Sequence, residues 1–177
     1  CGNSSTCNVN ITVLENCCNN PPVTLCPGDY RACPGSSIDT SITGKAIADP
    51  FNLICQQPTI SFTDNIISTD VCRTIIHRVW KAVNPKNNAQ TICTQIIILE
   101  DVDIPVFVSC PPDVTIDPQY NCNATVNWTL PLINDNCGIK LIHSTNQPGE
   151  TFTKGLTQVV YTATDNCGNT ASCWFFI

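Results

Sequence analysis

Cysteine dominates the chemistry that this sequence can perform. The chain has 14 cysteines among 177 residues, no methionine and few charged residues. No Cys-x-x-Cys pair typical of redox sites occurs, and the adjacent Cys17 and Cys18 favour two separate structural bridges. An even number of cysteines at this density is typical of disulfide-bonded proteins from oxidising compartments. We therefore expect an extracellular protein that is secreted, on the cell surface or in a matrix.

Asparagine offers a second kind of modification. The Asn-x-Ser/Thr sequons of the chain predict N-linked glycans at Asn3, Asn10, Asn123 and Asn127. Sequons that remain unused are the alternative interpretation. Asn123 and Asn127 have the same parity along one run of alternating residues, so we expect their sugars on a solvent-facing strand surface.

A group of acidic residues raises the question of a metal. Glu100, Asp101 and Asp103 lie close together, and we expect Asp135 and Asp165 near them in the fold. Calcium prefers about six to eight oxygen ligands, which such a cluster would supply. The alternative is that Asp135 and Asp165 accept hydrogen bonds from their own turns, as aspartate often does. We expect no cofactor besides glycans and keep calcium as the weaker possibility.

The remaining polar residues exclude several function classes. The two histidines, His77 and His143, lie in strand-like runs without a Gly-x-Ser-x-Gly or His-x-x-x-His motif, so we expect no catalytic residues and no enzyme. The net charge of −6 with eight Lys and Arg residues disfavours nucleic acid and anionic membranes as partners. No apolar run reaches the roughly 18–20 residues of a membrane span.

The elements that must position these residues form a repeat. Residues 1–7 read Cys-Gly-Asn-Ser-Ser-Thr-Cys and residues 167–173 read Cys-Gly-Asn-Thr-Ala-Ser-Cys. The Leu-Cys-Pro-Gly-Asp of residues 25–29 recurs as Ser-Cys-Pro-Pro-Asp at 109–113. The period is roughly 80–85 residues, a small domain. We expect the last strand of a preceding repeat plus a linker at 1–20, and further repeats at 21–104 and 105–177.

Within each repeat, the patterning predicts strands. Residues 124–130 place Ala124, Val126 and Trp128 on one side, and residues 159–164 do the same with Val159, Tyr161 and Ala163. Trp80 is the counterpart of Tyr161 in the first repeat. Turn residues separate such runs every eight to twelve residues or so, which predicts an all-β fold.

The second repeat resembles a hyalin repeat. The motifs that carry the resemblance are Cys-Pro-x-Asp at 110–113, Asp-Asn-Cys-Gly at 135–138, Val-Val-Tyr-Thr-Ala-Thr-Asp at 159–165 and Gly-Asn-x-Ala-Ser-Cys at 168–173. The resemblance implies a tandem array of immunoglobulin-like or fibronectin-type-III-like β-sandwiches with a structural or adhesive role. The first repeat resembles a diverged relative of the same family. It departs from the second repeat at residues 84–88, where its turn has no cysteine.

In an immunoglobulin-like sandwich of the kind that the resemblance implies, specific loops and strand ends meet. On that basis we pair the cysteines as Cys137 with Cys167, Cys110 with Cys173, Cys26 with Cys93, and Cys33 with Cys72. Cys55 is expected to bond Cys17 or Cys18 of the incoming linker. Cys1, Cys7 and Cys122 are left for bonds between repeats or chains, and a local Cys1–Cys7 bond is the alternative.

We therefore expect a structural, non-enzymatic subunit of a glycosylated extracellular filament, appendage or matrix. Its partners would be copies of itself in a head-to-tail filament or neighbouring repeats of one long chain. Residues 1–14 resemble an isolated last strand, which could be added to a neighbouring sheet. The alternative is an adhesin that binds a carbohydrate or protein ligand. Because Trp80, Trp128 and Trp174 lie in strand-like runs, we expect them in the core.

Overall fold

The runs of β-branched and aromatic residues form strands in the computed structural model, which describes residues 21–22, 24–48, 57–117 and 121–177. The all-β prediction is confirmed, because the described residues hold thirteen strands and one four-residue helix. The elements of the first half are β1 (Thr24–Leu25), β2 (Tyr30–Ala32), α1 (Thr40–Thr43), β3 (Ile47–Ala48), β4 (Thr59–Thr69), β5 (Arg73–Val83) and β6 (Gln90–Glu100).

The second half continues with shorter strands. They are β7 (Val106–Ser109), β8 (Asn123–Thr125), β9 (Leu132–Asn134), β10 (Ile139–Ser144), β11 (Thr151–Thr153), β12 (Gln158–Asp165) and β13 (Thr170–Phe176). The strands form sheets with the orders β1-β3, β2-β6-β5-β4, β7-β9, β11-β8 and β10-β12-β13. The chain divides into two compact units. Unit 1 takes its described residues from 1–30, 38–66 and 76–97, and unit 2 takes them from 31–37, 67–75 and 98–177.

Unit 1 is built on the long strands β5 and β6. On β5 every second residue is buried from Ile76 to Ala82, so that Arg78 and Trp80 face inward as the strand alternation requires. Trp80 is 3% exposed, which confirms it as a core residue. On β6, Gln95 and Ile97 lie on the buried side in the same way.

Two polar side chains in this core, Arg78 and Gln95, each donate several hydrogen bonds. Arg78 donates through Nε and Nη2 to the carboxylate of Asp64 at 2.7 and 2.8 Å, and through Nη1 to Oγ1 of Thr43 at 2.7 Å. Its guanidinium carbon lies 4.5 Å from the centre of the Phe62 ring. Gln95 donates to the backbone oxygens of Gly28 and Thr43 at 2.8 and 2.6 Å. These bonds offset the cost of burying polar groups.

Unit 2 has an apolar core with the predicted inward residues of β12. Val159, Tyr161 and Ala163 are 0%, 2% and 0% exposed, which confirms the alternation read from the sequence. Trp128 is half-buried and donates from Nε1 to the hydroxyl of Tyr161 at 2.8 Å. The buried members of this core are Ala124, Val126, Phe152, Val159, Tyr161 and Phe175.

Two details differ from the sequence expectations. The strand predicted over 124–130 is limited to β8, because Val126 bonds outside the ladder to the backbone of Glu150 and Gly149 at 3.0 and 2.8 Å. The prediction that Trp174 lies in the core is wrong, since it is 56% exposed. On β13 its neighbours Cys173 and Phe175 face inward, so the alternation turns Trp174 outward.

The buried guanidinium generates a stability prediction. Arg78→Ala leaves the partly buried Asp64 carboxylate without its cation, and we expect a loss of about 3–5 kcal/mol in the free energy of unfolding. Arg73→Ala is the control on the same strand, because its side chain is 53% exposed, and we expect less than about 1 kcal/mol there. Urea unfolding followed by tryptophan fluorescence measures the free energy of unfolding of both variants. Equal losses would contradict the importance of the buried Arg78–Asp64 ion pair.

Candidate functional site

Four disulfides join described cysteines, and two of them have the pairing expected from the sequence. Cys26, just after β1, is bonded to Cys93 of β6. Cys110, just after β7, is bonded to Cys173 of β13. Each bond fastens the first part of a predicted repeat to its last strand. The separation between the two Cα atoms is 6.0 Å in both pairs, within the usual range.

The other two predicted pairs are wrong. Cys33 is bonded to Cys137 and not to Cys72, and Cys72 is bonded to Cys167, so that Cys137 and Cys167 are not joined. The reason is that Cys33 and Cys72, although they belong to the first predicted repeat, lie in segments 31–37 and 67–75 of unit 2. The turn between the eleven-residue strands β4 and β5 carries Cys72 there. The prediction had placed both cysteines of each of these two pairs within a single repeat.

Three aspartates lie beside these two disulfides, each at a strand end. Asp101 follows β6, Asp135 follows β9, and Asp165 ends β12. Asp135 accepts at Oδ1 from the N–H of Cys137 at 2.9 Å, and Asp165 accepts at Oδ1 from the N–H of Cys167 at 2.8 Å. The N–H of Asp101 donates to the backbone oxygen of Cys72 at 3.4 Å. One carboxylate oxygen from each aspartate lies within 4.8 Å of the others.

The local sequence explains why two of these aspartates adopt the same geometry. The tetrapeptide Asp-Asn-Cys-Gly occurs at 135–138 and again at 165–168. In both copies the aspartate side chain caps the cysteine N–H two residues on, as in an Asx turn. The glycines Gly138 and Gly168 have φ angles of 99° and 90°, which favour glycine over other residues.

The three carboxylates are not equally satisfied. Asp165 accepts from the N–H groups of Cys167 and Asn169 at Oδ1 and from Nδ2 of Asn169 at Oδ2. Asp135 is bonded at Oδ1, but its buried Oδ2 has no partner. Asp101 is 5% exposed, and neither of its carboxylate oxygens has a hydrogen-bond partner. Hydrogen bonds within their own turns therefore explain the positions of the Asp165 carboxylate and of Oδ1 of Asp135. They do not explain the burial of the Asp101 carboxylate.

The unequal bonding moves the pKa values in opposite directions. Burial raises the pKa of Asp101, and the neighbouring charges of Asp135 and Asp165 raise it further. Together they outweigh the nearby backbone N–H of Asp103, which acts in the opposite direction without forming a hydrogen bond of normal geometry. Burial alone would also raise the pKa of Asp165, but the hydrogen bonds from Asn169, Cys167 and Gly168 outweigh it and lower that pKa. Asp165 is therefore stabilised as an anion next to a carboxylate whose negative charge is disfavoured.

The remaining two calcium candidates have other partners. Glu100 forms ion pairs with Arg31 and, at 3.1 Å, with Arg73. Asp103 accepts at Oδ2 from Nδ2 of Asn136 at 2.9 Å. The structure therefore brings together three of the five predicted residues. Asn169 is a further residue of this site that the sequence reasoning missed, and its position four residues after Asp165 was the available signal.

The glycosylation residues are placed only in part. Asn127 is exposed and Asn123 is half-buried at the start of β8. Cys122 is exposed and has a free thiol. The residues Cys1, Asn3, Cys7, Asn10, Cys17, Cys18 and Cys55, with their predicted bonds and glycans, lie outside the described residues. Neither His77 nor His143 joins a cluster of metal-binding side chains in the part of the chain that the structure describes.

Comparison with known proteins shows what the second predicted repeat is similar to. Residues 100–177 match the family model described as HYR domain. Hyalin from Strongylocentrotus purpuratus is 42% identical over 80 residues, which cover 44% of this chain and 7% of that protein. Hyalin from Lytechinus variegatus is 35% identical over 96 residues, which cover 53% of this chain and 18% of that protein. The hyalin-repeat resemblance is confirmed.

A third relative matches this chain over a small part of a much larger protein. The rat "Sushi, von Willebrand factor type A, EGF and pentraxin domain-containing protein 1" is 37% identical over 87 residues, which cover 47% of this chain and 2% of that protein. The chain thus spans 18% or less of the length of these three relatives. The disulfides and the similarity of residues 100–177 to the HYR domain model indicate an extracellular or cell-surface protein. No helix among the described residues is long and apolar enough to cross a membrane.

The corrected pairing leads to a prediction about stability. The double variant Cys72→Ser with Cys167→Ser opens a large loop, and we expect the free energy of unfolding to fall by about 2–5 kcal/mol. Guanidinium unfolding monitored by circular dichroism measures the loss.

Peptide mapping under non-reducing conditions checks the pairing itself. We expect one peptide pair that joins Cys33 to Cys137 and another that joins Cys72 to Cys167. A peptide pair that joins Cys33 to Cys72, or Cys137 to Cys167, would contradict the structure.

Proposed function

We propose that this chain is a structural, non-enzymatic part of an extracellular filament, appendage or matrix that is built from consecutive hyalin-repeat β-sandwiches. The observation that carries the proposal is the pair of disulfides Cys33–Cys137 and Cys72–Cys167. They join positions 104 and 95 residues apart and so link the sequence of the first predicted repeat to that of the second. Covalent links between successive repeats are useful where a chain must resist extension or unfolding.

The other described disulfides support the same role. Cys26–Cys93 and Cys110–Cys173 each close most of one predicted repeat, with separations of 67 and 63 residues. A repeat of this size buries a limited apolar core, and covalent closure keeps it folded outside the cell. A catalytic protein would need a cleft with convergent polar groups. Among the described cysteines, all except Cys122 form disulfides.

The free thiol of Cys122 suits a further covalent link. It is exposed and borders a cavity of about 560 Å³ in unit 2, together with Asp113, Lys154 and the C-terminal Ile177. A bond from Cys122 to a following repeat or chain would continue the series of links. Addition of the strand predicted at 1–14 to a neighbouring sheet belongs to the same proposal.

An adhesin is the second candidate, and one observation favours it. Trp174 is 56% exposed and packs edge-on against Phe176, with 5.5 Å between the ring centres. An exposed tryptophan supported by a half-buried phenylalanine on a sheet is suited to contact with a sugar ring or an apolar side chain of a ligand. This pair lies on the strand β13 and not in a loop.

Electron microscopy of native material with immunogold labelling distinguishes the two functions. For a structural subunit, we expect antibodies against the chain to label filaments or matrix along their whole length. We also expect the labelled material to resist detergent and to fall apart when detergent is combined with a thiol reductant. Labelling restricted to filament tips or to scattered cell-surface points would support the adhesin. Assemblies that dissolve in detergent alone would contradict the covalent architecture.

A further inference from the structure

The aspartate cluster of unit 2 contains buried negative charge without compensation from the protein. Both carboxylate oxygens of Asp101 and Oδ2 of Asp135 are closed to solvent and accept no hydrogen bond. Asp101 is the decisive residue, because its side chain is almost completely buried and its oxygens face the carboxylates of Asp135 and Asp165. An unpaired buried carboxylate is strongly unfavourable, so this arrangement calls for a group that is attracted to all three.

The positively charged side chains of the described residues do not supply that group. The ion pairs there join Arg31 and Arg73 to Glu100, and Arg78 to Asp64. None of these arginines pairs with the cluster. The side-chain hydrogen bonds at the cluster go to Oδ1 of Asp135 and to both carboxylate oxygens of Asp165, and they leave the three buried oxygens without a partner.

We propose that Asp101, Asp135 and Asp165 bind one calcium ion. Three carboxylates from three strand ends supply hard oxygen ligands, and the separation of up to 4.8 Å between their oxygens spans a single cation bound between them. The site has no sulfur or imidazole ligand, which argues against zinc and copper. Calcium is favoured over magnesium because calcium accepts irregular coordination by several carboxylates, whereas magnesium demands near-ideal octahedral coordination.

The disulfides give this site a fixed frame. Cys72–Cys167 and Cys33–Cys137 are bonded within two residues of Asp165 and Asp135, and the backbone of Cys72 holds that of Asp101. The covalent frame keeps the carboxylates together when no ion offsets their repulsion. The inference concerns the cluster alone and does not depend on the filament proposal.

Thermal unfolding of the full chain tests the proposal. For a dissociation constant near 1 mM, typical of extracellular calcium modules, 10 mM CaCl₂ should raise the melting temperature by roughly 3–6 °C over a sample in EDTA. The same concentration of MgCl₂ should give less than half of that rise. Isothermal titration with CaCl₂ should show about one site per chain.

Two variants separate calcium binding from general charge effects. Asp101→Asn removes the unpartnered carboxylate, and we expect it to lose the calcium-dependent rise and to melt in EDTA at or above the wild-type temperature. Asp117→Asn makes the same charge change at an exposed aspartate of unit 2 and should keep the full rise. If Asp101→Asn does not fold, Asp135→Asn takes its place, because the amide oxygen can still accept from Cys137.

Three results would overturn the proposal. The first is wild-type melting curves that coincide in calcium and EDTA. The second is a calcium titration of the wild-type chain without saturable heat. The third is a folded Asp101→Asn or Asp135→Asn variant that keeps the full calcium-dependent rise.

Discussion

The covalent bonds between distant parts of the chain are the constraint on which the rest of this structure depends. Small cores give each part of the molecule a limited apolar surface to bury. The bonds Cys33–Cys137 and Cys72–Cys167 close loops of roughly a hundred residues, and in the chain-entropy model each contributes about 4–5 kcal/mol by restricting the unfolded chain. Contributions of this size are comparable to the whole stability of a typical domain.

The same bonds lie beside the charged groups. The pairing of β10 with β12 sets Ile139 opposite Asp165, and Nδ2 of Asn166 donates to the backbone oxygen of Cys137, so that Asp135 and Asp165 come close together. The disulfides then fasten the cysteine that follows each of these aspartates by two residues. Asp101 joins them through the backbone of Cys72. The hydrogen bonds of the two Asp-Asn-Cys-Gly turns satisfy both carboxylate oxygens of Asp165 and one of Asp135. The carboxylate oxygens of Asp101 have no such partner. Structural bonding and a candidate ion site thus arise from one short motif used twice.

Much of the fold follows from local patterns in the sequence. The alternation on β12 predicted the burial of Val159 and Tyr161, because the side chains of a strand point to opposite faces whatever the rest of the fold does. The same rule, applied to β13, would have placed Trp174 outside, since Cys173 and Phe175 occupy the inward positions. The error came from treating a strand-like run as evidence of burial without fixing its parity.

The candidate site was less predictable, because it depends on contacts between distant segments. The sequence indicated which aspartates could meet, but the absence of partners at Asp101 depends on how three strand ends pack. The bonding partners of Cys33 and Cys72 also depend on where segments 31–37 and 67–75 lie in the fold. The predicted repeat to which each cysteine belongs does not determine its partner. By contrast, Cys110 and Cys173 lie on elements that the repeat pattern already places near each other.

Single-molecule force extension measures most directly whether disulfides provide the mechanical continuity of the chain. Between Cys26 and Cys173 the backbone has 147 peptide steps (173 − 26), but the route through the bonds Cys26–Cys93 and Cys110–Cys173 has only 17 (110 − 93). At about 3.5 Å per residue, and with 6.0 Å between the Cα atoms of each of the two disulfides, the distance between these two cysteines should reach no more than roughly 70 Å in the oxidised chain and roughly 500 Å in the reduced chain. An extension near the larger value under non-reducing conditions would contradict this account.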